Sequence, residues 1–185
     1  KRMKKQLISA SAVACLALAG ASLPASAEVP VTLNAGAGYW YFDRDLQGLD
    51  IDNTATPFIG AEIALGEHWA AEVLYADTET QLQGGADTDV TLWQVGGLYY
   101  AGTYKSAEMR IRPYAAFGAG EIDIDANFAD SVETTLNAGF GVRWMLNDRI
   151  GVRLESRAVY SLDEEETDLL TSAGLNFYLG NVEPD

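Results

Sequence analysis

The feature that most constrains this chain is an alternation of apolar residues with glycine or polar residues, which recurs in eight segments after residue 30. In the clearest segment, 136–146, every second residue from Leu136 to Leu146 is apolar, while Asn137 and Arg143 fall between them. Successive side chains of a β-strand point to opposite faces, so each segment has one apolar and one polar face. A barrel in lipid turns the apolar face outward and keeps polar groups in its lumen. The pattern predicts an all-β fold, a transmembrane eight-stranded antiparallel up-and-down β-barrel.

The predicted strands are separated by polar or turn-forming segments. They cover residues 31–42, 56–65, 69–77, 90–101, 110–120, 136–146, 150–160 and 169–179. Long polar connections are predicted at 43–55, 78–89, 121–131 and 161–168, with shorter ones after the second, fourth and sixth strands. Short periplasmic turns and long external loops are typical of outer-membrane barrels, so this alternation predicts that both termini are periplasmic.

The N-terminal segment has the pattern of a secretory signal peptide. Four basic residues precede an apolar run at about residues 7–20, and Ala25-Ser26-Ala27 is a suitable cleavage sequence. We therefore predict a signal peptide at 1–27, an outer-membrane β-barrel at 28–180, and a C-terminal tail or the start of a linker at 181–185. The chain's one cysteine, Cys15, falls within the predicted signal peptide. The mature chain would then contain no thiol for a disulfide or a metal site.

The chain is strongly acidic, with a formal net charge of -15. Removal of Lys1, Arg2, Lys4 and Lys5 with the signal peptide would take this charge to -19. A charge of this sign argues against nucleic acid or an anionic membrane surface as a partner. Outer-membrane lipids are the expected surroundings of the barrel wall.

Aromatic residues lie near both ends of the predicted strands, as in the two girdles of a membrane barrel. The alternative is a soluble β-sandwich with an aromatic core, but it would place the charged face on the wrong side. The two predicted girdles are Trp69, Tyr99, Trp144 and Phe177 at the short-turn end, and Tyr39, Tyr41, Tyr75, Trp93 and Tyr160 toward the long loops.

Charged residues on the predicted lumen face form the main candidate site. An eight-stranded barrel is just wide enough for side chains to fill it, so carboxylates and guanidinium groups at one level should meet across the lumen. We expect them to form ion pairs that either gate the passage of small ions or make a static polar core. The set is Glu62, Glu72, Arg112, Arg143, Arg153, Glu155 and Arg157.

Acidic residues dominate the predicted loops. Oxygen ligands could take divalent cations that bridge to lipopolysaccharide phosphates. No loop has the full calcium-loop pattern, so weak, diffuse binding is expected rather than a defined metal site. The residues are Asp43, Asp45, Asp50, Asp52, Asp77, Glu79, Asp87, Asp89, Asp123, Asp125, Asp130, Asp163, Glu164, Glu165, Glu166 and Asp168.

The sequence offers little for catalysis. Barrel hydrolases generally need a histidine with a serine or an acidic partner. The one histidine, His68, falls in a predicted periplasmic turn, away from the outer leaflet. We predict that the protein is not an enzyme and needs no cofactor.

The chain resembles the N-terminal barrel domain of the OmpA/OprF family of Gram-negative outer-membrane proteins over nearly all of its predicted mature length. The resemblance rests on Arg112-Pro113-Tyr114 with Gly118-Ala119-Gly120, on Asn137-Ala138-Gly139-Phe140-Gly141-Val142-Arg143, and on Arg153-Leu154-Glu155. It implies a structural barrel with a gate for small ions in its lumen. Family members often continue into a periplasmic peptidoglycan-binding domain, and Asp185 would then lie in or before a linker.

The last predicted strand is similar to the C-terminal signal that the barrel-assembly machinery reads. The matching residues are Ser172, Gly174, Phe177 and Leu179, with Leu179 in place of the usual aromatic residue. The resemblance implies that this machinery and periplasmic chaperones act on the chain during its assembly.

Two functions are therefore expected from the sequence. The first is a structural outer-membrane protein of the OmpA/OprF type, with narrow or gated passage of small solutes or ions. The alternative is surface recognition or adhesion through the acidic loops.

Overall fold

The computed structural model describes residues 31–43, 45–46, 49–82, 86–102, 110–126 and 130–179. The predicted signal peptide and the C-terminal tail lie outside these residues. The described strands are β1 Val31–Tyr41, β2 Asp45–Leu46, β3 Leu49–Asp50, β4 Thr54–Ala64, β5 Trp69–Leu82, β6 Ala86–Tyr100, β7 Ile111–Ala126, β8 Asp130–Met145, β9 Ile150–Ser161 and β10 Thr167–Leu179. In this part of the chain, no helix is long and apolar enough to cross a membrane.

Eight of these strands form one closed antiparallel barrel, as the alternation predicts. Each strand from β4 to β10 pairs with the next, and β1 closes the ring by pairing with both β10 and β4. Closure gives every barrel strand two partners, so the barrel has no open edge in the described structure. We call the end that holds Val31 and Leu179 the base, and the end that holds Leu82 and Ala86 the rim. The short strands β2 and β3 form a hairpin on the rim side, between β1 and β4.

The outer wall is apolar over most of its height. Large hydrophobic side chains point outward from every barrel strand, and Phe140 on β8 is 74% exposed. A water-soluble protein rarely exposes a continuous apolar surface of this extent. The exposed wall is the surface that lipid chains would cover, and it confirms the predicted inside-out arrangement.

Four strands are longer than the sequence pattern predicts. Strands β5 to β8 have 14 to 16 residues each, whereas a tilted strand needs roughly 9–11 residues to cross a membrane. The predicted long loops at 78–89 and 121–131 are therefore wrong, because most of their residues continue β5, β6, β7 and β8 beyond the apolar wall. The other four barrel strands agree with the prediction to within two residues at each end.

Polarity reverses along these long strands. On β7, Phe117 and Ala119 point outward in the apolar wall, but farther toward the rim Asp123 and Asp125 take the outward positions while the isoleucines between them are buried. The strands thus have an apolar outer face in the membrane and an acidic outer face beyond it. The boundary is marked by Trp93, whose indole Nε1 donates to the Glu121 carboxylate at 3.1 Å.

The predicted alternation of loop lengths is also wrong. At the rim, β9 and β10 are joined by residues 162–166 alone, and the Ser161 hydroxyl accepts hydrogen bonds from the backbone of Asp163 and Glu164. At the base, β6 and β7 are separated by residues 101–110, close to the predicted connection near 102–108, so this base connection is longer than the rim connection at 162–166. The orientation of the barrel must therefore rest on the projecting strands rather than on loop length.

Glycine allows aromatic rings to pack against the inner wall. A Cβ atom on Gly141 would overlap the Tyr114 ring, and one on Gly174 would lie 2.8 Å from Phe58 Cζ. These close approaches let large rings fill a narrow interior, which is a known role of glycine in curved sheets.

Candidate functional site

Three layers of side chains fill the lumen. Along β5 the inward positions from the base are Ala70, Glu72, Leu74 and Ala76, so a charged level lies between two apolar ones. The base layer comprises Ala70, Leu98, Tyr100, Tyr114, Ala116, Met145 and Tyr178. The rim layer comprises Trp40, Ile51, Phe58, Leu74, Ala76, Val90, Leu92, Ile122, Ile124, Ala126, Val159 and Leu170.

The charged level is made of two facing walls. Arg112, Arg143 and Arg153 are register neighbours on β7, β8 and β9. Glu62 and Glu72 are register neighbours on β4 and β5. Like charges in adjacent register positions destabilise a sheet. Closure of the barrel relieves this repulsion because it brings the glutamate wall against the arginine wall.

The ion pairs form a closed cycle of four residues. Arg153 Nη1 lies 2.5 Å from Glu72 Oε1, and Arg157 Nη2 lies 2.8 Å from Glu72 Oε2. Glu155 completes the cycle, at 2.6 Å from Arg153 Nη2 and 3.0 Å from Arg157 Nη2. All four side chains are almost fully buried. We use the name charge cluster for these four residues together with Glu62 and Arg143.

Glu62 connects the cycle to the base layer. Its Oε1 atom accepts from Arg143 Nη2 at 2.6 Å and from Arg153 Nη1 at 3.2 Å. Tyr100 donates its hydroxyl to Glu62 Oε2 at 3.1 Å, and Asn34 donates to Oε1 at 2.7 Å. Charge-assisted hydrogen bonds of this kind compensate part of the cost of burying a carboxylate.

Tyrosine rings cover the arginines from the base side. The Arg143 guanidinium carbon lies 5.2 Å from the centre of the Tyr100 ring and 5.5 Å from that of Tyr178, and the Arg153 carbon lies 5.4 Å from that of Tyr114. Arg143 Nη1 also donates to the Tyr178 hydroxyl at 2.7 Å. The ring faces attract the cations.

The structure buries all seven predicted lumen residues and brings six of them into one network. Arg112, the seventh, is also buried and is the register partner of Arg143. The prediction of a polar lumen holds only in part for the rim half, where the apolar rim layer lies beside buried polar residues such as Thr135 and Asn137. The sequence reasoning also missed the polar residues Asn34, Gln94 and Asn137, which contact charged members of the network. Their inward position in the alternation was the available signal.

The predicted assembly residues lie along β10. Ser172 is buried, whereas Phe177 and Leu179 point outward at the base, and Gly174 packs against Phe58. Their role as an assembly signal stays a prediction.

The predicted loop acids lie in several different environments. Asp77, Glu79, Asp87, Asp89 and Asp125 are exposed on the outer face of projecting strands rather than in loops. Asp168 is fully buried on β10, and its carboxylate accepts a hydrogen bond from the backbone of Asp43 at 3.0 Å. The side chains of Asp45, Asp50 and Asp130 lie outside the described structure. Among the residues described, no three His, Cys, Asp or Glu side chains form a group that could hold a metal ion.

His68 lies in the turn between β4 and β5 at the base. Its Nδ1 atom is 3.0 Å from the carbonyl oxygen of Gly102. This contact ties the turn to the end of β6 and gives the ring a structural role.

Comparison with known proteins agrees with this architecture. The family model described as outer membrane protein beta-barrel domain matches residues 11–180. Outer membrane protein Omp38 of Acinetobacter baumannii is 33% identical over 138 residues, which is 66% of this chain and 38% of Omp38. This chain therefore matches less than half the length of that relative.

Two solved structures share the fold. The N-terminal β-barrel domain of Pseudomonas aeruginosa OprF superposes with a TM-score of 0.61 at 13% identity, covering 82% of this chain and 98% of that domain. Ail, the attachment invasion locus protein of Yersinia pestis, superposes with a TM-score of 0.57 at 12% identity, covering 83% of this chain and 100% of Ail.

Proposed function

Because the chain belongs to the outer-membrane β-barrel family, whose model matches residues 11–180, we propose that it is a structural protein of the OmpA/OprF type. The bacterial outer membrane is its location. Its lumen is closed at rest and admits small ions only when ion pairs of the charge cluster separate. The observation that carries this proposal is the charge cluster itself, which spans the lumen between two apolar layers.

The projecting rim supports one orientation of the barrel. Acidic strand ends cannot enter lipid without a large cost, and both described termini lie at the base. We therefore place the base in the periplasm and the projecting strands outside the cell, as the sequence analysis predicts.

Glu72→Gln tests the gate. Glu72 binds both Arg153 and Arg157 across the lumen. Its neutralisation leaves Glu155 as the one carboxylate of the cycle that bridges the two arginines, which weakens the contact between the facing walls and favours their separation. We expect brief single-channel openings of the refolded barrel in planar bilayers to become more frequent in this variant. Glu79→Gln is the matched control, because Glu79 lies on the same strand but is exposed on the outer face. Correct folding is checked by heat-dependent gel mobility. Silence of both the parent and Glu72→Gln would remove the gate and leave the structural role alone.

Surface recognition is a second candidate function. It is favoured by the acidic outer face of β5 to β7 beyond the apolar wall and by the structural likeness to Ail. We expect Glu79→Gln combined with Asp89→Asn to reduce attachment of whole cells to cationic surfaces or host cells, because the paired carboxylates would be lost. Attachment equal to that of the parent, at equal amounts of barrel in the membrane, would exclude a role for this face.

A further inference from the structure

The inner wall of the barrel is not uniform around its circumference. On β8 every lumen-facing side chain from the rim to the charge cluster is polar or absent, in the order Ser131, Glu133, Thr135, Asn137, Gly139, Gly141 and Arg143. On neighbouring β7, the register partners of Ser131 and Glu133 are Ile124 and Ile122, which belong to the apolar rim layer. A polar track therefore crosses the rim half of the lumen along one strand.

Several polar atoms on or beside this track have no hydrogen-bond partner within the described structure. They are the Thr135 hydroxyl, Asn137 Nδ2, Gln94 Nε2 and Arg157 Nε. Thr135 is fully buried and Asn137 is 6% exposed. Buried polar groups in folded proteins are nearly always hydrogen-bonded, to protein or to ordered water. Four such groups in one sector point to bound water.

The track is connected at both ends. At its inner end Arg157 Nη1 donates to Gln94 Oε1 at 3.1 Å and lies 3.4 Å from Asn137 Oδ1, which ties both amides to the cycle of ion pairs. At its outer end the Ser131 hydroxyl donates to Glu133 Oε1 at 3.3 Å, and Ser131 is partly exposed at the rim. Polar side chains thus line β8 from the partly exposed Ser131 to the charge cluster.

The spacing suits water. Side chains two residues apart on a strand are separated by about 6.8 Å. One or two water molecules bridge such a gap, since each hydrogen bond spans roughly 2.8 Å. The residues on the track also provide the two to four polar partners that a buried water needs.

We propose that a file of bound water molecules occupies the β8 side of the lumen and links the rim to Arg157 and Glu72. The apolar sector of the rim layer on β5 to β7 stays dry, and it consists of Leu74, Ala76, Val90, Leu92, Ile122 and Ile124. The ligand is water, and the same route carries protons or a small hydrated cation as far as the charge cluster. The proposal uses the closed barrel on which the proposed function also depends, but it requires no conduction across the membrane.

Silver ion accessibility of single cysteines tests the water file, because Ag⁺ is small, travels in water and reacts with thiols. Mature protein lacking residues 1–27 has no native cysteine. Thr135→Cys places a thiol on the track. Val90→Cys is the control and places a thiol in the apolar rim layer. Val90 pairs with Ile124, which pairs with Ser131 on β8. The control therefore lies four residues nearer the rim than Thr135, so greater depth cannot explain a slower reaction. Both changes conserve side-chain volume closely.

The refolded barrels are incubated with silver nitrate in chloride-free lipid vesicles, and the remaining free thiol is titrated after unfolding. We expect Thr135→Cys to react faster than Val90→Cys by on the order of tenfold or more, because Ag⁺ must give up its hydration to enter apolar surroundings. Asn137→Cys is a second track variant and replaces Thr135→Cys if that barrel fails the gel-mobility test of folding.

Equal rates for the track and control cysteines, whether both fast or both slow, would overturn the water file. The result is independent of the gate: a barrel that never conducts can still admit Ag⁺ to Thr135→Cys, and a conducting barrel can exclude it.

Discussion

Replacement of Arg153 by methionine is expected to lower the free energy of unfolding by about 3–5 kcal/mol, the usual effect of removing one partner from a buried ion pair. Arg153 is 1% exposed and contacts Glu62, Glu72 and Glu155 within 3.2 Å. Without it, three buried carboxylates share two cations. Urea unfolding in lipid vesicles, followed by tryptophan fluorescence, measures the loss.

Two comparisons separate charge pairing from loss of side-chain volume. Arg149→Met changes an exposed arginine in the turn before β9 and should alter stability by less than about 0.5 kcal/mol. Adding Glu72→Gln to Arg153→Met leaves two carboxylates, Glu62 and Glu155, for the two remaining cations of the charge cluster and should restore part of the loss. If Arg153→Met unfolds at the same urea concentration as Arg149→Met, the charge cluster does not stabilise the barrel.

Phe140→Arg is expected to destabilise the membrane-inserted barrel by about 2–4 kcal/mol, the cost of an arginine on the lipid face near the bilayer centre. Phe140 lies on the outer face of β8, between Trp144 at the base and Leu136 toward the rim. In a soluble protein a side chain that is 74% exposed would tolerate the charge. The predicted effect therefore depends on lipid contact.

The same substitution at Leu162 provides the control. Leu162 is 49% exposed in the rim turn, outside the apolar wall. Leu162→Arg should cost no more than about 1 kcal/mol, as arginine does near the membrane surface. Equal losses for the two variants in vesicle unfolding experiments would mean that the middle of the wall does not face lipid.

The alternation in sequence was sufficient to predict the closed barrel and the outward face of each strand within the membrane. Segments such as Leu136 to Leu146 keep one phase throughout, and the structure pairs them as neighbours in chain order. The predicted charges also fall inside the barrel. A shift of one residue in a strand would have moved its charges to the lipid face, so the sequence strongly specifies which face points inward.

The strand extensions were missed for a physical reason. Residues Ile122 to Ala126 alternate as cleanly as any membrane segment, but their apolar members face the lumen and their acids face water. Because its outward residues are acidic, the sequence pattern predicted a polar loop at this segment. Beyond the membrane, the outside of the wall faces water instead of lipid. The favourable arrangement there is that of a soluble barrel, with apolar residues inward and charged residues outward.

For the charge cluster, the sequence could predict that the charged residues lie at one height in the lumen, but not which of them contact each other. The sequence placed Glu72, Arg153 and Arg157 near one height, but partner choice depends on which strands face each other across the closed ring. The inward position of Gln94 on β6 followed from the alternation, but its partner Arg157 lies across the lumen and could be identified only from the closed barrel.

The reversal of polarity near Trp93 and Glu121 limits how these strands can change length. Insertion of one residue on the base side of that point would move every side chain on the rim side of the same strand to the opposite face. Insertion of two residues preserves the faces, yet it moves the next acidic side chains about 6.8 Å along the strand. Length variants of β6 and β7 should therefore be tolerated at the rim ends of these strands, at Ala86 and Ala126, and selected against within the wall, even when two residues are inserted together.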